Sequence, residues 1–188
     1  MKKIFIFSFI GVLMYGCSNP NQNAQTPSDK TQPNTIEITN DLENAMAIIP
    51  SWVGEKTVVA AKEPAAHSGE YASLTNDSTV YSYAFQESFK NLDSERLPKQ
   101  VVVKFWMYTT VANPNLSVIL DINENGKNVD WKAYPLDKEI KEAGKWAEYS
   151  TSFYFDKPIN PEQSIRIYAW NQSKKPIYFD DYKITFGY

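Results

Sequence analysis

Few residues of this chain could take part in catalysis, because its 188 residues include one histidine and one cysteine. A single cysteine excludes an intramolecular disulfide. The two counts also exclude zinc-finger ligand sets and leave little basis for a Cys–His or Ser–His nucleophile. The histidine, His67, stands among small residues directly before Ser68 and Gly69. We interpret it as part of a surface turn, although an isolated histidine could also serve as an acid or base.

Asp180 and Asp181 are adjacent carboxylates, and paired acids can suggest glycoside hydrolysis. They lie within a run of aromatic and apolar residues that is typical of a β-strand. Because neighbouring strand residues point to opposite faces, these two carboxylates are not expected to flank one bond. The sequence also lacks a glycine-rich phosphate loop. We therefore predict no catalytic site and a protein that is not an enzyme.

Two strand-like segments, 101–108 and 164–170, alternate apolar residues with a second set that contains aromatic residues and Lys or Arg. Since Lys and Arg are rarely fully buried, the second set is expected to face away from the core. A pyranose ring stacks its C–H face on an aromatic ring, while its hydroxyls bond to polar groups. We predict one sugar-binding surface, although plain packing of aromatic residues gives the same pattern. The predicted ligand-binding residues are Trp106, Tyr108, Arg166, Tyr168 and Trp170.

Short β-type runs separated by Asn-, Pro- and Gly-containing turns dominate the chain after residue 35, and no long helical period appears. Such a pattern predicts an all-β fold, an antiparallel β-sandwich or jelly roll in which two apolar sheet faces cover each other. Residues 137–143 are expected to form a turn or one to two loose helical turns. The predicted strands are 36–39, 56–60, 80–85, 100–108, 116–122, 131–134, 146–155, 164–170 and 177–186.

The N-terminus carries a targeting pattern. Two lysines precede an apolar run at residues 4–13 that is too short to span a bilayer, and Gly16 directly precedes Cys17. This layout resembles a bacterial lipoprotein signal, which implies cleavage after Gly16 and a lipid anchor on Cys17, although Tyr15 is bulkier than usual. Ser18 resembles the outer-membrane sorting signal of Gram-negative bacteria, and the periplasmic or surface face is left open. The alternative is an ordinary signal peptide with an incidental cysteine.

We predict three segments: a signal peptide at 1–16, a lipidated cysteine with a flexible tether at 17–34, and one β-sandwich domain at 35–188. The tether is rich in Pro, Asn and Gln and has no large apolar residue, so it cannot bury enough surface to become ordered. The whole chain has 19 basic and 22 acidic residues and a net charge of −3. This balance argues against a nucleic-acid partner.

Several short motifs follow one another along the predicted domain: DLEN at 41–44, HSGEYASL at 67–74 and IYFDDYKI at 177–184. Their order resembles galactose-binding-domain-like jelly rolls, which include carbohydrate-binding modules attached to glycan-degrading enzymes. The resemblance implies a structural Ca²⁺ that ties both ends of the domain together. Its ligands would be the carboxylates of Glu43 and Asp180 and main-chain oxygens near Gly69, which suits the preference of Ca²⁺ for oxygen.

Two functional hypotheses remain open at this point. The first is a membrane-anchored envelope lipoprotein that carries a non-catalytic, carbohydrate-binding-like module with a glycan as its partner. The second is a structural or adaptor lipoprotein that docks another envelope protein through exposed aromatic residues. A groove with convergent polar groups favours the glycan, whereas a large flat apolar patch favours the protein partner.

Overall fold

The computed structural model describes residues 34–44 and 51–188. The predicted signal peptide, Cys17 and the predicted tether up to residue 33 lie outside them. None of the helices in these two ranges is long and apolar enough to cross a membrane. Strands dominate, and the helices are a 3₁₀ turn at Glu55–Thr57 and the four-residue α1 at Phe89–Leu92. The strands are β1 (Thr35–Asn40), β2 (Trp52–Val53), β3 (Val58–Ala60), β4 (Tyr71–Thr75), β5 (Ala84–Ser88), β6 (Gln100–Thr109), β7 (Leu116–Glu124), β8 (Lys127–Pro135), β9 (Trp146–Tyr154), β10 (Ser164–Asn171) and β11 (Ile177–Gly187).

The strands form two antiparallel sheets. The first sheet has the order β3-β4-β11-β6-β9, and β1 pairs with β11 beside this path. The second sheet has the order β2-β5-β10-β7-β8. The predicted all-β, antiparallel sandwich is therefore confirmed, although β2 and β4 add strands that the sequence did not predict and β8 extends beyond the predicted 131–134.

The core lies between the two sheets, and the side-chain alternation of each strand explains how it forms. In β6 every second residue from Val101 to Met107 is almost fully buried, and β10 contributes Ile165, Ile167 and Ala169 in the same way. Two apolar faces that cover each other remove this surface from water, which is the main favourable contribution to folding. The residues between them in each strand face outward and are only partly buried.

Strand β4 has an unusual composition, which explains why its sequence does not predict a strand. Two of its inward residues, Ser73 and Thr75, are fully buried polar residues. The Ser73 hydroxyl accepts a hydrogen bond from the Tyr83 N–H at 2.9 Å, and the Thr75 hydroxyl accepts one from Asn171 Nδ2 at 3.0 Å. Because buried polar groups are costly only when unpaired, these bonds allow β4 to replace apolar side chains with hydroxyls.

Residues 136–140 form a single turn rather than a longer helix. The N–H of Ile140 donates to the Leu136 carbonyl at 3.2 Å, and both side chains are fully buried. The turn therefore contributes two apolar side chains to the core.

The turn before β4 is attached to the segment after β1 by one carboxylate. Glu43 Oε1 accepts hydrogen bonds from the N–H groups of Glu70 and Tyr71, each at 3.0 Å. Gly69 has a φ of +56°, and a Cβ placed on it would lie 2.1 Å from Glu43 Cδ. A side chain at this position would therefore be strained and would also displace the carboxylate.

We expect Gly69→Ala to lower the free energy of unfolding by at least about 1 kcal/mol more than Gly126→Ala. Gly126 is a matched control, because its φ is +75° and no atom lies within 4 Å of an added Cβ. The control measures backbone strain alone, whereas Gly69→Ala also disturbs the carboxylate that accepts two bonds. Urea denaturation of both variants checks this, and equal losses would contradict the close Glu43 contact.

Candidate functional site

The outer face of the second sheet brings polar and aromatic side chains together in rows that cross the strands. In one row, Gln86 of β5 pairs with Arg166 of β10, which pairs with Asp121 of β7, which pairs with Trp131 of β8. Directly paired residues of antiparallel strands point to the same face and have neighbouring side chains. We call the outer surface formed by Tyr81, Gln86, Asp121, Trp131, Arg166, Tyr168 and Trp170 the groove face.

Aromatic rings cover one end of the groove face. Tyr81 forms an isolated bridge with Trp170, and its ring meets that of Tyr168 edge-on at 5.4 Å and that of Trp170 at 6.3 Å. Tyr81 and Trp131 are each 48% exposed, which is high for side chains of this size. The exposed rings are therefore available for stacking with a ligand.

The floor between these rings is packed around Tyr168. Burial raises the pKa of the Tyr168 hydroxyl above its ordinary value, whereas a hydrogen bond with the Trp131 side chain acts in the opposite direction. Ile119 of β7 pairs with Tyr168 and points to the same face, yet it is fully buried. The floor of the groove face is therefore apolar and packed, with aromatic side chains above it.

The other end of the groove face is a polar cleft of about 340 Å³, whose lining includes Gln86, Asp121, Asn123, Ser164 and Arg166. Asp121 Oδ1 accepts hydrogen bonds from Asn123 Nδ2 at 2.9 Å and from Asn128 Nδ2. The Arg166 guanidinium carbon lies 5.3 Å from the centre of the Tyr168 ring, and its buried Nε has no partner among the described residues. The cleft thus places the Asp121 carboxylate, an acceptor held by two asparagine side chains, beside Arg166 Nε, a donor that has no hydrogen-bond partner among the described residues.

The structure divides the predicted sugar-binding residues between two surfaces, so the prediction that they share one is wrong. Arg166, Tyr168 and Trp170 belong to the groove face, but Trp106 and Tyr108 lie on β6 of the first sheet. Strand alternation correctly predicts that each set faces outward. It carries no information on which sheet a strand joins, and the outer faces of the two sheets point away from each other.

Trp106 is covered by the segment that follows β3. The His67 ring stacks on the Trp106 ring at 3.7 Å with an interplanar angle of 13° and meets Trp146 edge-on at 5.8 Å. The Trp146 indole N–H donates to the Ala65 carbonyl at 2.9 Å. His67 is therefore a packing residue on the first sheet and more than a surface turn residue, and Trp106 does not offer an open ring.

Asp180 and Asp181 both contact the turn at His67 and Ser68, contrary to the prediction from strand alternation. A β-bulge shifts the register between Asp180 and Lys183, and Asp181 has a φ of +47°. Asp180 Oδ2 accepts the N–H groups of His67 and Ser68 at 2.9 and 3.1 Å. Asp181 accepts the Ser68 hydroxyl at 2.7 Å, and its other oxygen lies 2.5 Å from His67 Nδ1. Both carboxylates are thus occupied in holding this turn.

The candidate metal residues Glu43, Gly69 and Asp180 meet at the same turn. Asp180 is fully buried, and burial raises the pKa of its carboxyl to about 6. Its hydrogen-bond donors are backbone N–H groups rather than a cationic side chain. No group of three or more His, Cys, Asp or Glu side chains within 34–44 and 51–188 could hold a metal ion. A cation here would therefore need main-chain carbonyls in addition to the two carboxylates.

Four residues of the groove face were not predicted from the sequence: Tyr81, Gln86, Asp121 and Trp131. Each stands in or beside a predicted strand, and Trp131 is flanked by Asp130 and Lys132, a pattern that indicates an exposed edge strand. Pairing across strands, which brings Trp131 to Asp121 and Arg166, depends on register and is absent from the local pattern.

No protein-family model matches the sequence, and no curated protein matches it. Among solved structures, the CBM22-2 xylan-binding domain of Xyn10C from Paenibacillus barcinonensis has a TM-score of 0.51 and 18% identity, covering 79% of this chain and 98% of that one. The CBM22-1–CBM22-2 tandem of the same protein has the same TM-score and identity, covering 79% of this chain and 49% of that one. TmCBM61, solved in complex with β-1,4-galactotriose, has a TM-score of 0.41 and 16% identity, covering 77% of this chain and 97% of that one.

Identities this low show the fold and leave the ligand to be argued from the site. The chain has the antiparallel β-sandwich fold of carbohydrate-binding modules.

Proposed function

We propose that this chain is a non-catalytic glycan-binding module and that the groove face is its binding site. The observation that carries the proposal is the single row in which an exposed indole, a carboxylate, a guanidinium and an amide lie side by side: Trp131, Asp121, Arg166 and Gln86. Sugar recognition needs this combination, because pyranose rings have apolar C–H faces and polar hydroxyl edges.

Each part of the groove face has a distinct role in the proposed binding. The Trp131 and Tyr81 rings stack on C–H faces of the sugar, and the packed floor around Tyr168 excludes water. Asp121 accepts hydrogen bonds from sugar hydroxyls while two asparagine side chains hold it in place. Arg166 donates to hydroxyl or ring oxygens through a guanidinium that stacks on Tyr168. The remaining acid of the cleft, Glu162, is paired with Lys90 at 2.8 Å.

The shape of the site supports an extended glycan rather than a single sugar. The aromatic end and the polar cleft lie on neighbouring rows of paired residues on the same open sheet face. Because each row runs across the strands, a polysaccharide that follows the rows can contact several strands. The CBM22-2 neighbour is described as a xylan-binding domain, which makes xylan the first polysaccharide to test.

We expect Trp131→Ala to weaken glycan binding by about 10- to 100-fold, because it removes one stacking ring from an otherwise intact site. Calorimetric titration of the purified full chain with soluble xylan, β-1,4-galactan, β-glucan and mannan measures the change. Tyr154→Ala is the matched control, since Tyr154 is 60% exposed but lies on β9 of the first sheet, away from the groove face.

The outcome separates the two functional hypotheses. Loss of binding in Trp131→Ala with Tyr154→Ala unchanged supports the glycan module. If no polysaccharide binds, or if both variants bind as the wild type does, the groove face is not a glycan site. If no polysaccharide binds at all, the alternative of an adaptor lipoprotein for an envelope protein becomes the better hypothesis, with the exposed Val129, Trp131 and Tyr134 of β8 as its contact surface.

We further propose that the module is a lipoprotein anchored through Cys17 to the bacterial outer membrane. The support is the sequence pattern alone: a basic start, a short apolar run and Gly16 before the only cysteine. Several acyl chains on one cysteine would retain the protein at a membrane, since each buried methylene contributes about 0.8 kcal/mol. The tether would then present the groove face to glycans near that membrane.

Cys17→Ala is expected to move the protein from the membrane fraction to the soluble fraction, because it removes the only residue that could carry the acyl chains. Ser18→Asp should shift it from the outer to the inner membrane, while Ser18→Ala should leave it in place as a control. Fractionation of cells that express each variant measures this. A Cys17→Ala protein that still sediments with membranes would refute the anchor.

A structural Ca²⁺ held by Glu43, Asp180 and carbonyls near Gly69 is our proposal for the turn before β4. The fully buried Asp180 carboxylate and a second carboxylate at the same turn support it, because a cation would offset the cost of burying the charge. When bound, the ion would supply electrostatic stabilisation between the two ends of the domain. It would take no part in the binding of sugar.

Protein freed of calcium by a chelator should lose stability as the pH rises. The carboxyl of Asp180 has a pKa of about 6 in the folded state and an ordinary value of 3.8. The folded state therefore binds more protons at Asp180 between these values, and the contribution of Asp180 to the free energy of unfolding falls by about 3 kcal/mol from below pH 4 to above pH 6. Asp180→Asn should remove this dependence, which urea denaturation at several pH values measures.

Calcium should reverse the effect at neutral pH, where the carboxylate is ionised, and have little effect near pH 4. Thermal unfolding with added CaCl₂ and with chelator tests this directly. A melting temperature at pH 7 that is the same in both would contradict the calcium proposal while leaving the pH dependence of Asp180 intact.

A further inference from the structure

A second cleft opens on the outer face of the first sheet, on the side of the sandwich away from the groove face. Its volume of about 510 Å³ falls within the range of small-ligand sites, about 300–1,000 Å³. The segment after β3, the end of β6 and the start of β11 line it. We call it the tyrosine cleft, and its main lining residues are Lys62, Glu63, Pro64, Tyr108, Pro176 and Tyr178.

Two tyrosine rings form a corner in this cleft. Tyr108 of β6 and Tyr178 of β11 are direct cross-strand partners, and their ring centres lie 6.3 Å apart at an interplanar angle of 78°. One ring thus presents its face beside the edge of the other, and both side chains are only partly buried. Pro64 and Pro176 extend the apolar wall. Such a corner matches the C–H face of a pyranose ring in shape and polarity.

Polar groups stand at the rim of the same cleft. Lys62 and Glu63 are exposed, and neither takes part in any ion pair found within the described ranges. The Thr110 hydroxyl donates to the Pro176 carbonyl at 3.3 Å. The tyrosine cleft therefore offers an ammonium donor and a carboxylate acceptor above its aromatic corner, which are the groups that sugar hydroxyls need.

The wall of the cleft is held in position before any ligand binds. The Trp146 indole donates to the Ala65 carbonyl, and Lys62 and Ala65 form an isolated β-bridge. The Trp146 ring in turn packs against Tyr108 at 5.9 Å. A preformed site loses little conformational entropy on binding, which favours the capture of a small ligand.

We propose that the tyrosine cleft is a second carbohydrate-binding site, which takes one or two pyranose residues at a chain end or side branch. This inference rests on the proposed function for its ligand class and adds a separate site to it. The five most exposed large hydrophobic residues of the described part, Tyr81, Val129, Trp131, Tyr134 and Tyr154, lie outside the cleft. It therefore lacks the broad apolar patch that a protein partner would cover. With sites on opposite outer faces, one module binds two glycan segments at once.

The test compares sugar binding by the full chain and its variants with saturation-transfer NMR. The probes are xylose, galactose, glucose and mannose and the di- to tetrasaccharides of each. Trp131→Ala weakens binding at the groove face, Tyr178→Ala removes one ring of the tyrosine cleft, and Tyr154→Ala is the control outside both. We expect Trp131→Ala to retain binding of at least one mono- or disaccharide, and Tyr178→Ala to weaken that binding at least fivefold.

Lys62→Ala provides a second variant in case the partly buried Tyr178 is needed for folding. Its exposed side chain lies at the rim, and its removal should weaken the same sugar at least twofold. The inference is overturned if Trp131→Ala abolishes every sugar signal, or if Tyr178→Ala and Lys62→Ala both bind as the wild type does. A wild-type chain that binds no sugar overturns the proposed function as well, so the two failures are distinguishable.

Discussion

The inner faces of β6 and β10 pack into one hydrophobic core, in which Phe105 and Ile167 are almost fully buried. Because strand residues alternate between faces, burial of one set forces the other set outward in both sheets. A two-sheet sandwich therefore has two outer faces, and the aromatic residues that the core does not use are distributed over both. This burial is the constraint on which the location of each candidate site depends.

The two outer faces differ because of one turn. In the first sheet, a bulge at Asp180 and Asp181 places both carboxylates against the His67–Ser68 turn, and His67 then stacks on Trp106. That packing covers the Trp106 ring and leaves a separate cleft beside Tyr108. The second sheet has no such cover over Trp131, which is 48% exposed. The open face suits an extended ligand, whereas the partly covered face suits a short one.

Much of the fold could be predicted from local patterns, and particular residues show where those patterns stop. The alternation in β6 and β10 indicated correctly which residues enter the core, because burial follows a period of two. Strand β4 was missed, since Ser73 and Thr75 are buried through hydrogen bonds that distant residues provide. The positions of Asp180 and Asp181 were predicted wrongly, because a bulge breaks the alternation and depends on the partner strand.

The sequence by itself determined the fold class and which sides of β6 and β10 face water, since both follow from the polarity of neighbouring residues. It also supplied Arg166, Tyr168 and Trp170 as ligand-binding candidates. Only the tertiary structure decided that Trp106 and Tyr108 lie on the other sheet, and that Trp131, Asp121 and Gln86 join Arg166 in one row. The physical reason is that sheet membership and register arise from contacts between residues far apart in the chain, which no local pattern contains.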